Sequence, residues 1–152
     1  MDFGLSQDQV LLKDTIRRWL DAECPTSRVR AVMESDSGHD PALWRGLADL
    51  GVTGLLVPPA HGGAGLELLD VALAAEELGW ACAPGPFLAT AMATTALLAS
   101  EDAEAHRRWL PGIAAGEVIA TVAIGEEGDE WDAAKLATRA DGATLAAGTI
   151  TF

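Results

Sequence analysis

The segment best suited to bind an anion is Pro58-Pro59-Ala60-His61-Gly62-Gly63-Ala64-Gly65, a glycine-rich loop whose backbone amides would cradle a phosphate if they converged on it. It has neither a Walker lysine nor a preceding βαβ pattern, so it is expected to be a structural turn joining helices. His39, His61 and His106 stand far apart, and no HExxH, GxSxG or GxxxxGK(S/T) pattern occurs. These histidines are expected to face solvent or to be hydrogen-bonded; no metal ligand is nominated. Glu76-Glu77 is an adjacent carboxylate pair that suggests acid/base work. Neighbouring helical residues point about 100° apart, which suits a solvated face better than shared acid/base work. Trp19, Trp44, Trp80 and Trp109 sit on or beside helical patterns, where core packing accounts for them, whereas Trp131 lies in an acidic loop and is open to packing or stacking. Cys24 and Cys82 form no CxxC pair and read as two reduced thiols.

Composition narrows the class. The chain has 152 residues, with 10 Lys and Arg against 23 Asp and Glu, a formal net charge of −13, and 49% hydrophobic residues. That apolar content excludes disorder throughout and suits one globular domain, or one and a fragment. The scattered cations argue against a phosphate-backbone ligand, so no nucleic-acid partner is expected. No apolar stretch reaches the roughly 18 residues of a membrane span, and the opening six residues lack the basic flank and apolar run of a signal peptide. The expectation is a soluble, cytoplasmic protein without a membrane partner.

The elements that position these residues read as helices first. Leu5, Leu12, Ile16 and Trp19, at spacings of 7, 4 and 3, mark a helical face that Ser6 caps and Pro25 stops. Asp40-Pro41 is an N-cap followed by proline at the first helical position, predicting a helix over 41–50 that ends at Gly51. Leu66, Leu69 and Leu73 lead a third helix to Leu78-Gly79. After Pro84-Gly85-Pro86 a fourth, 87–98, is apolar nearly all round apart from threonines. Ser100 with Glu101 and Asp102 caps a fifth, ending at Pro111-Gly112. The pattern then changes. Residues 118–124 are an unbroken apolar run, as in a buried strand, followed by an acidic loop, and Asp141-Gly142 marks a hairpin turn between 136–140 and 144–152.

The order of these motifs carries a family resemblance. Met1-Asp2-Phe3-Gly4-Leu5-Ser6-Gln7-Asp8-Gln9, Trp44-Arg45-Gly46-Leu47-Ala48-Asp49-Leu50-Gly51, the loop from Val57 to Gly65, Glu76-Glu77-Leu78-Gly79, Pro84-Gly85-Pro86-Phe87 and Trp109-Leu110-Pro111-Gly112-Ile113-Ala114-Ala115-Gly116-Glu117 together resemble the N-terminal half of acyl-CoA dehydrogenases. The resemblance implies a mainly α fold: an N-terminal helical bundle domain of acyl-CoA dehydrogenase type over 1–116, followed over 117–152 by the first strands of an incomplete middle β domain. It implies FAD-dependent α,β-dehydrogenation of an acyl-CoA thioester, in fatty-acid or steroid side-chain breakdown, with an electron-transfer flavoprotein as redox partner. The family's catalytic glutamate comes from its C-terminal domain, so no catalytic residue is nominated within these 152 residues.

Site residues follow from the same resemblance. The family's flavin-contacting strand ends in a hydrophobic residue, Ser or Thr, Glu and Pro, which falls on Val122-Ala123-Ile124-Gly125-Glu126, the cofactor-binding candidates. Gly125 stands where the hydroxyl would be and Glu127 where the proline would be, leaving a backbone amide as the donor. The fourth helix is rich in small residues, which either let neighbours approach closely or leave room for a ligand tail; the resemblance implies a pocket wall, with Ala91 and Thr95 as substrate-binding candidates. A strand apolar on both faces needs covering on both, and one hairpin is marginal alone, so further residues or a partner subunit are expected to complete the β domain. The family's habit implies a homo- or hetero-oligomer of acyl-CoA dehydrogenase subunits. The alternatives are a catalytically weakened partner subunit and a helical binding module that retains the fold without the chemistry.

Overall fold

In a computed structural model, residues 4–123, 139–141 and 144–147 are described. The chain divides into two units, Met1–Thr121 and Val122–Phe152. The first is helical. Helix α1, Gln7–Glu23, begins with a reciprocal cap: the Gln9 amide donates to Ser6 Oγ at 3.1 Å and the Ser6 amide to Gln9 Oε1 at 3.0 Å. Ile16 and Leu20 are buried on its inner face. Helix α3, Pro41–Asp49, starts as its dipeptide predicts, with Asp40 Oδ1 accepting from the amides of Ala42 and Leu43. Arg28 Nε also donates to Asp40 Oδ2 at 2.6 Å, and that bond, helped by the Leu43 amide, holds the Asp40 carboxyl down at about 2.

Between them lies α2, Thr26–Met33, which the sequence pattern does not reveal. Pro25 reads as a stop for α1. It is also the N-cap of α2, in the extended conformation, where a missing amide hydrogen costs nothing. Helix α4, Leu68–Trp80, follows the glycine-rich loop and runs parallel to α1. Helix α5, Phe87–Ala99, and α6, Ala103–Ala114, complete the unit. Asp102, rather than Ser100, caps α6, and Pro111 lies inside it instead of ending it. The carbonyl that Pro111 leaves without its usual donor belongs to Arg107, which is exposed, so water can serve it.

Two apolar clusters hold the helices together. The larger joins Ile16, Leu20, Leu43, Trp44, Leu47, Val71, Ala74, Leu78 and Phe87, and each fully buried large side chain contributes about 1.5–3 kcal/mol by leaving water. Helix α3 approaches α1 closely at Gly46, where a Cβ would overlap the Trp19 ring. The smaller cluster gathers Val57, Leu110, Ile113 and Ala114, with Val118 and Ala120 packed on it. Thr53, in a short 3-10 turn Val52–Gly54, ties the α6 end to this frame by donating to the Ala114 carbonyl at 2.8 Å.

The expected strand over 118–124 is not seen in its described part. Residues 117–123 are non-helical and form no ladder with any described residue; Ile124 lies outside the described residues. The amides of Glu117 and Val118 instead donate to the Gly112 carbonyl at 2.8 and 3.0 Å, folding the start of the run onto the last turn of α6, where Val118 and Ala120 find cover while Ile119 remains exposed. In the second unit, β1, Arg139–Asp141, pairs antiparallel with β2, Thr144–Ala147, with Asp141 opposite Thr144 and a bulge between Arg139 and Ala140. Asp141 of the predicted Asp141-Gly142 turn is thus the last residue of β1, and Gly142 lies outside the described residues. Residues 136–138 and 148–152 of the predicted hairpin, and the acidic loop with Trp131, lie outside the described residues.

Candidate functional site

The glycine-rich loop is a turn and not an anion cradle. The amides of His61, Gly62, Gly63, Ala64, Gly65 and Leu66 all donate to backbone carbonyls, at 2.8 to 3.3 Å. A Cβ on Gly63 would overlap the Val57 carbonyl and lie 2.6 Å from that of Gly54, so glycine is required there by close packing. The loop brings His61 to His106, with ring centroids 6.5 Å apart and edge-to-face. His106 Nε2 also lies 2.6 Å from the Leu97 carbonyl. Among the described residues no group of three or more His, Cys, Asp or Glu is placed to hold a metal ion.

The carboxylate pair divides. Glu76 is exposed and accepts from Lys13 Nζ at 2.7 Å, but Glu77 is 1% exposed, which corrects the expectation of a solvated face. Arg17 Nε donates to Glu77 Oε2, and Lys13 Nζ lies 3.4 Å from Oε1. Burial pushes the Glu77 carboxyl up, but the hydrogen bonds and charges of Arg17 and Lys13 outweigh it and hold the group below its ordinary 4.5. Both its oxygens are occupied, so it fastens α4 to α1 and offers nothing to a substrate. The tryptophans divide too. Trp44 is core, its Nε1 donating to the Gly116 carbonyl at 2.9 Å, and Trp19 packs against it. Trp80 and Trp109 are exposed, each beneath a guanidinium: Arg17 lies 3.7 Å from the Trp80 centroid and Arg108 4.6 Å from that of Trp109.

Helix α5 is what remains for a ligand. Between Phe87 and Ala99 it has no charged side chain, and its polar groups look inward or back along the helix. Thr94 Oγ1 donates to the Thr90 carbonyl at 2.8 Å, Thr95 Oγ1 to that of Ala91 at 2.9 Å, and Thr90 Oγ1 to that of Ala120 at 3.3 Å. Phe87, Thr90, Ala91 and Thr94 face a small cleft of about 10 Å³ against Trp44, Val52, Leu55 and Leu56, space for about one water. Ala91 is half-buried at the edge of this cleft; Thr95, one turn on, is exposed. Leu88 and Met92 continue the exposed side at 65% and 42%. A second, larger groove of about 410 Å³ lies between α3, the end of α4 and the start of α5, with Leu47, Leu78, Cys82, Pro84 and Leu88 among its walls. Trp44 and Phe87 face both spaces, a role that periodicity assigns only as core packing.

Of the cofactor-binding candidates, Val122 is half-buried and Ala123 exposed, both in non-helical backbone, while Ile124, Gly125 and Glu126 lie outside the described residues. Among the described residues no helix is long and apolar enough to cross a membrane.

Comparison with known proteins gives this helical unit its kin. Residues 6–117 match the family described as acyl-CoA dehydrogenase, N-terminal domain. The acyl-CoA dehydrogenase IpdE2 of Mycolicibacterium smegmatis is 39% identical over 143 residues, 93% of this chain and 45% of that protein, so the chain spans less than half of that relative's length. Among solved structures, a variant of the Tcur3481-Tcur3483 steroid ACAD aligns with a TM-score of 0.75 and 37% identity over 80% of this chain and 34% of that one. The ChsE4-ChsE5 complex from Mycobacterium tuberculosis aligns with a TM-score of 0.78 and 28% identity over 86% and 36%. On the match over residues 6–117, this chain belongs to the acyl-CoA dehydrogenase family.

Proposed function

We propose that the protein containing this chain is an FAD-dependent acyl-CoA dehydrogenase, or a subunit of one, that oxidises an acyl-CoA thioester between its α and β carbons. The observation that carries this is the uncharged, small-residue face of α5 beside an apolar cleft, in a unit that belongs to that family. An acyl chain needs a wall without unpaired polar groups, and every α5 threonine hydroxyl donates to a backbone carbonyl. Ala91 and Thr95 are the residues we place along the chain's path, and Val122 to Glu126 the segment we place at the flavin. The described part of that segment, Val122 and Ala123, is apolar, partly exposed and non-helical, which fits a backbone edge on which an isoalloxazine ring can rest. FAD supplies the hydride acceptor, and an electron-transfer flavoprotein is the partner to which the electrons pass.

The division at 1–116 and 117–152 belongs to this reading, as does assembly with further acyl-CoA dehydrogenase subunits. The names of the two-component structures it resembles favour a hetero-oligomer, and the steroid ACAD among them favours a steroid-derived over a simple fatty-acyl substrate. The test is reduction of an artificial electron acceptor by the complete flavin-loaded enzyme, supplied with straight-chain and steroid side-chain acyl-CoAs. We expect thioester-dependent reduction; an enzyme that keeps its flavin and responds to none of them would overturn the dehydrogenase reading in favour of a binding module.

A further inference from the structure

We infer that Cys82 and Cys24 form a thiol–disulfide exchange site, in which exposed Cys82 takes up a small-molecule disulfide and buried Cys24 converts the adduct into an internal crosslink. The inference stands apart from the dehydrogenase reading, since it uses no residue placed at the acyl chain or the flavin. Helices α1 and α4 bring the two thiols to one end of the unit. They run parallel: Gln9 meets Asp70, Lys13 meets Glu76, and Arg17 meets both Glu77 and the Trp80 ring. Cys24 is the C-cap of α1, about two turns beyond Arg17, and Cys82 follows the last turn of α4. Ala81 and Ala83, on either side of Cys82, pack against the apolar cluster that contains Cys24. The charge of Cys82 therefore reaches Cys24. Burial pushes the Cys24 thiol up, and Asp40 and Cys82 add to the rise against the opposing effect of Arg28.

The backbone at Cys82 points the same way. Helix α4 ends in a Schellman turn, with the Ala83 amide donating to the Leu78 carbonyl at 2.9 Å and the Cys82 amide to that of Gly79 at 3.0 Å. The corner of such a turn is left-handed and is ordinarily glycine. Here it is Cys82, with φ +50°, which among the described residues is the only non-glycine at positive φ. The turn thus holds a thiol in solvent, on the wall of the groove between α3, α4 and α5, where a dissolved disulfide can meet it. Cys24, 5% exposed, cannot be met directly. The order of attack follows from this difference. The Cys82 thiolate attacks one sulfur of the incoming disulfide, forming a mixed disulfide and releasing one small thiolate; the Cys24 thiolate then attacks the Cys82 sulfur, forming the internal S–S bond and releasing the second. Two protein thiols are oxidised, the external disulfide is reduced to two thiols, and the two protein protons end on them. The crosslink ties the end of α1 to the turn from which α5 starts.

The test incubates the complete, fully reduced protein with excess oxidised glutathione, quenches with acid and maps the unreduced peptides by mass spectrometry, beside Cys82→Ser and Cys24→Ala. We expect wild type to give a linked Cys24–Cys82 peptide that retains no glutathione, Cys24→Ala to hold one glutathione at Cys82, and Cys82→Ser to leave Cys24 a free thiol. Oxidation should also raise the thermal unfolding midpoint of wild type by several degrees, because the crosslink restricts the unfolded chain, and that of neither variant. Wild type that carries glutathione on Cys82 while Cys24 stays free overturns the pairing, and wild type in which neither cysteine reacts overturns the site altogether. Glutathione on Cys24 in Cys82→Ser overturns the order of attack. The wild-type map decides the pairing even where a variant does not fold, and none of these outcomes depends on turnover of an acyl-CoA.

Discussion

Helices α4 and α5 follow one another in the chain, have 13 residues each, are both rich in alanine, and are built in opposite ways. On α4 every described acidic side chain is engaged: Asp70 accepts from Gln9 Nε2 at 3.2 Å and from the Glu67 amide at 2.9 Å, Glu76 pairs with Lys13, and Glu77 with Arg17 and Lys13. Helix α5 has no ion pair because it has no charge. Directional bonds between unlike charges fix the position of one helix relative to another, whereas apolar packing accepts changes of shape at similar volume. One helix is therefore scaffold. The other is a surface whose side chains can be exchanged to suit a ligand.

The largest way to break this contrast is to unfasten α4. Glu77→Ala removes a buried carboxylate and leaves Lys13 and Arg17, whose side chains are 24% and 33% exposed, to find water; the expected loss is about 2–3 kcal/mol. Glu76→Ala, whose side chain is 61% exposed, should cost under about 0.5 kcal/mol. Urea unfolding of the two variants beside wild type gives the comparison, and equal losses would mean that burial does not distinguish the pair. The same residue predicts an acid limb. Because the folded-state pKa of Glu77 lies below its ordinary 4.5, its contribution is present above that value and fades as pH falls through the lowered one. Glu77→Gln should flatten that limb.

The sequence made legible whatever rests on neighbours in the chain. Ser6 with Gln9 and Asp40 with Pro41 are local devices, and both caps form where their residue types require them. Asp141-Gly142 is local too. The errors fall where a residue has two uses. Pro25 ends α1 as it reads but also begins α2, which the pattern leaves out, and Pro111 reads as an ending yet rides inside α6, because helix starts and solvent-facing carbonyls both tolerate a missing donor. Glu77 looked solvated because its partners lie 60 and 64 positions away on α1, a distance across which no periodicity reaches. The strand expected from the run at Val118 failed similarly, since β-branched apolar residues serve equally to cover the end of α6. At the candidate site the small residues of α5 were legible, but the cleft and the groove beside them were not, because cavities are properties of the packed chain.

A smaller effect sharpens the contrast from the α5 side. Ala91→Leu adds bulk at the edge of a cleft with room for about one water, so it should destabilise by about 1–2 kcal/mol, whereas exposed Thr95→Leu should leave stability within about 0.5 kcal/mol. If both border the acyl path, both lower the ratio of kcat/KM for palmitoyl-CoA to that for butyryl-CoA in the complete enzyme. A shift confined to Ala91→Leu would limit the path to the cleft, and no shift in either would return α5 to packing alone.

The smallest effect probes the tie that the Thr90 side chain makes beyond α5. Thr90 Oγ1 donates to the Ala120 carbonyl at 3.3 Å, a long bond to a half-buried acceptor. Valine has nearly the volume of threonine, so Thr90→Val removes the bond and keeps the packing, and the Ala120 carbonyl can turn to water. The loss should be about 0.5–1 kcal/mol, at the low end for a hydrogen bond, read by urea unfolding. Amide exchange at Glu117 and Val118, which donate to the Gly112 carbonyl, should quicken, since this bond helps to hold that stretch, while the amides of α4 remain as protected as in wild type. A loss as large as that of Glu77→Ala would show that α5 too is locked in place by a polar fastener, and its face could then no longer be taken as free to vary with the ligand.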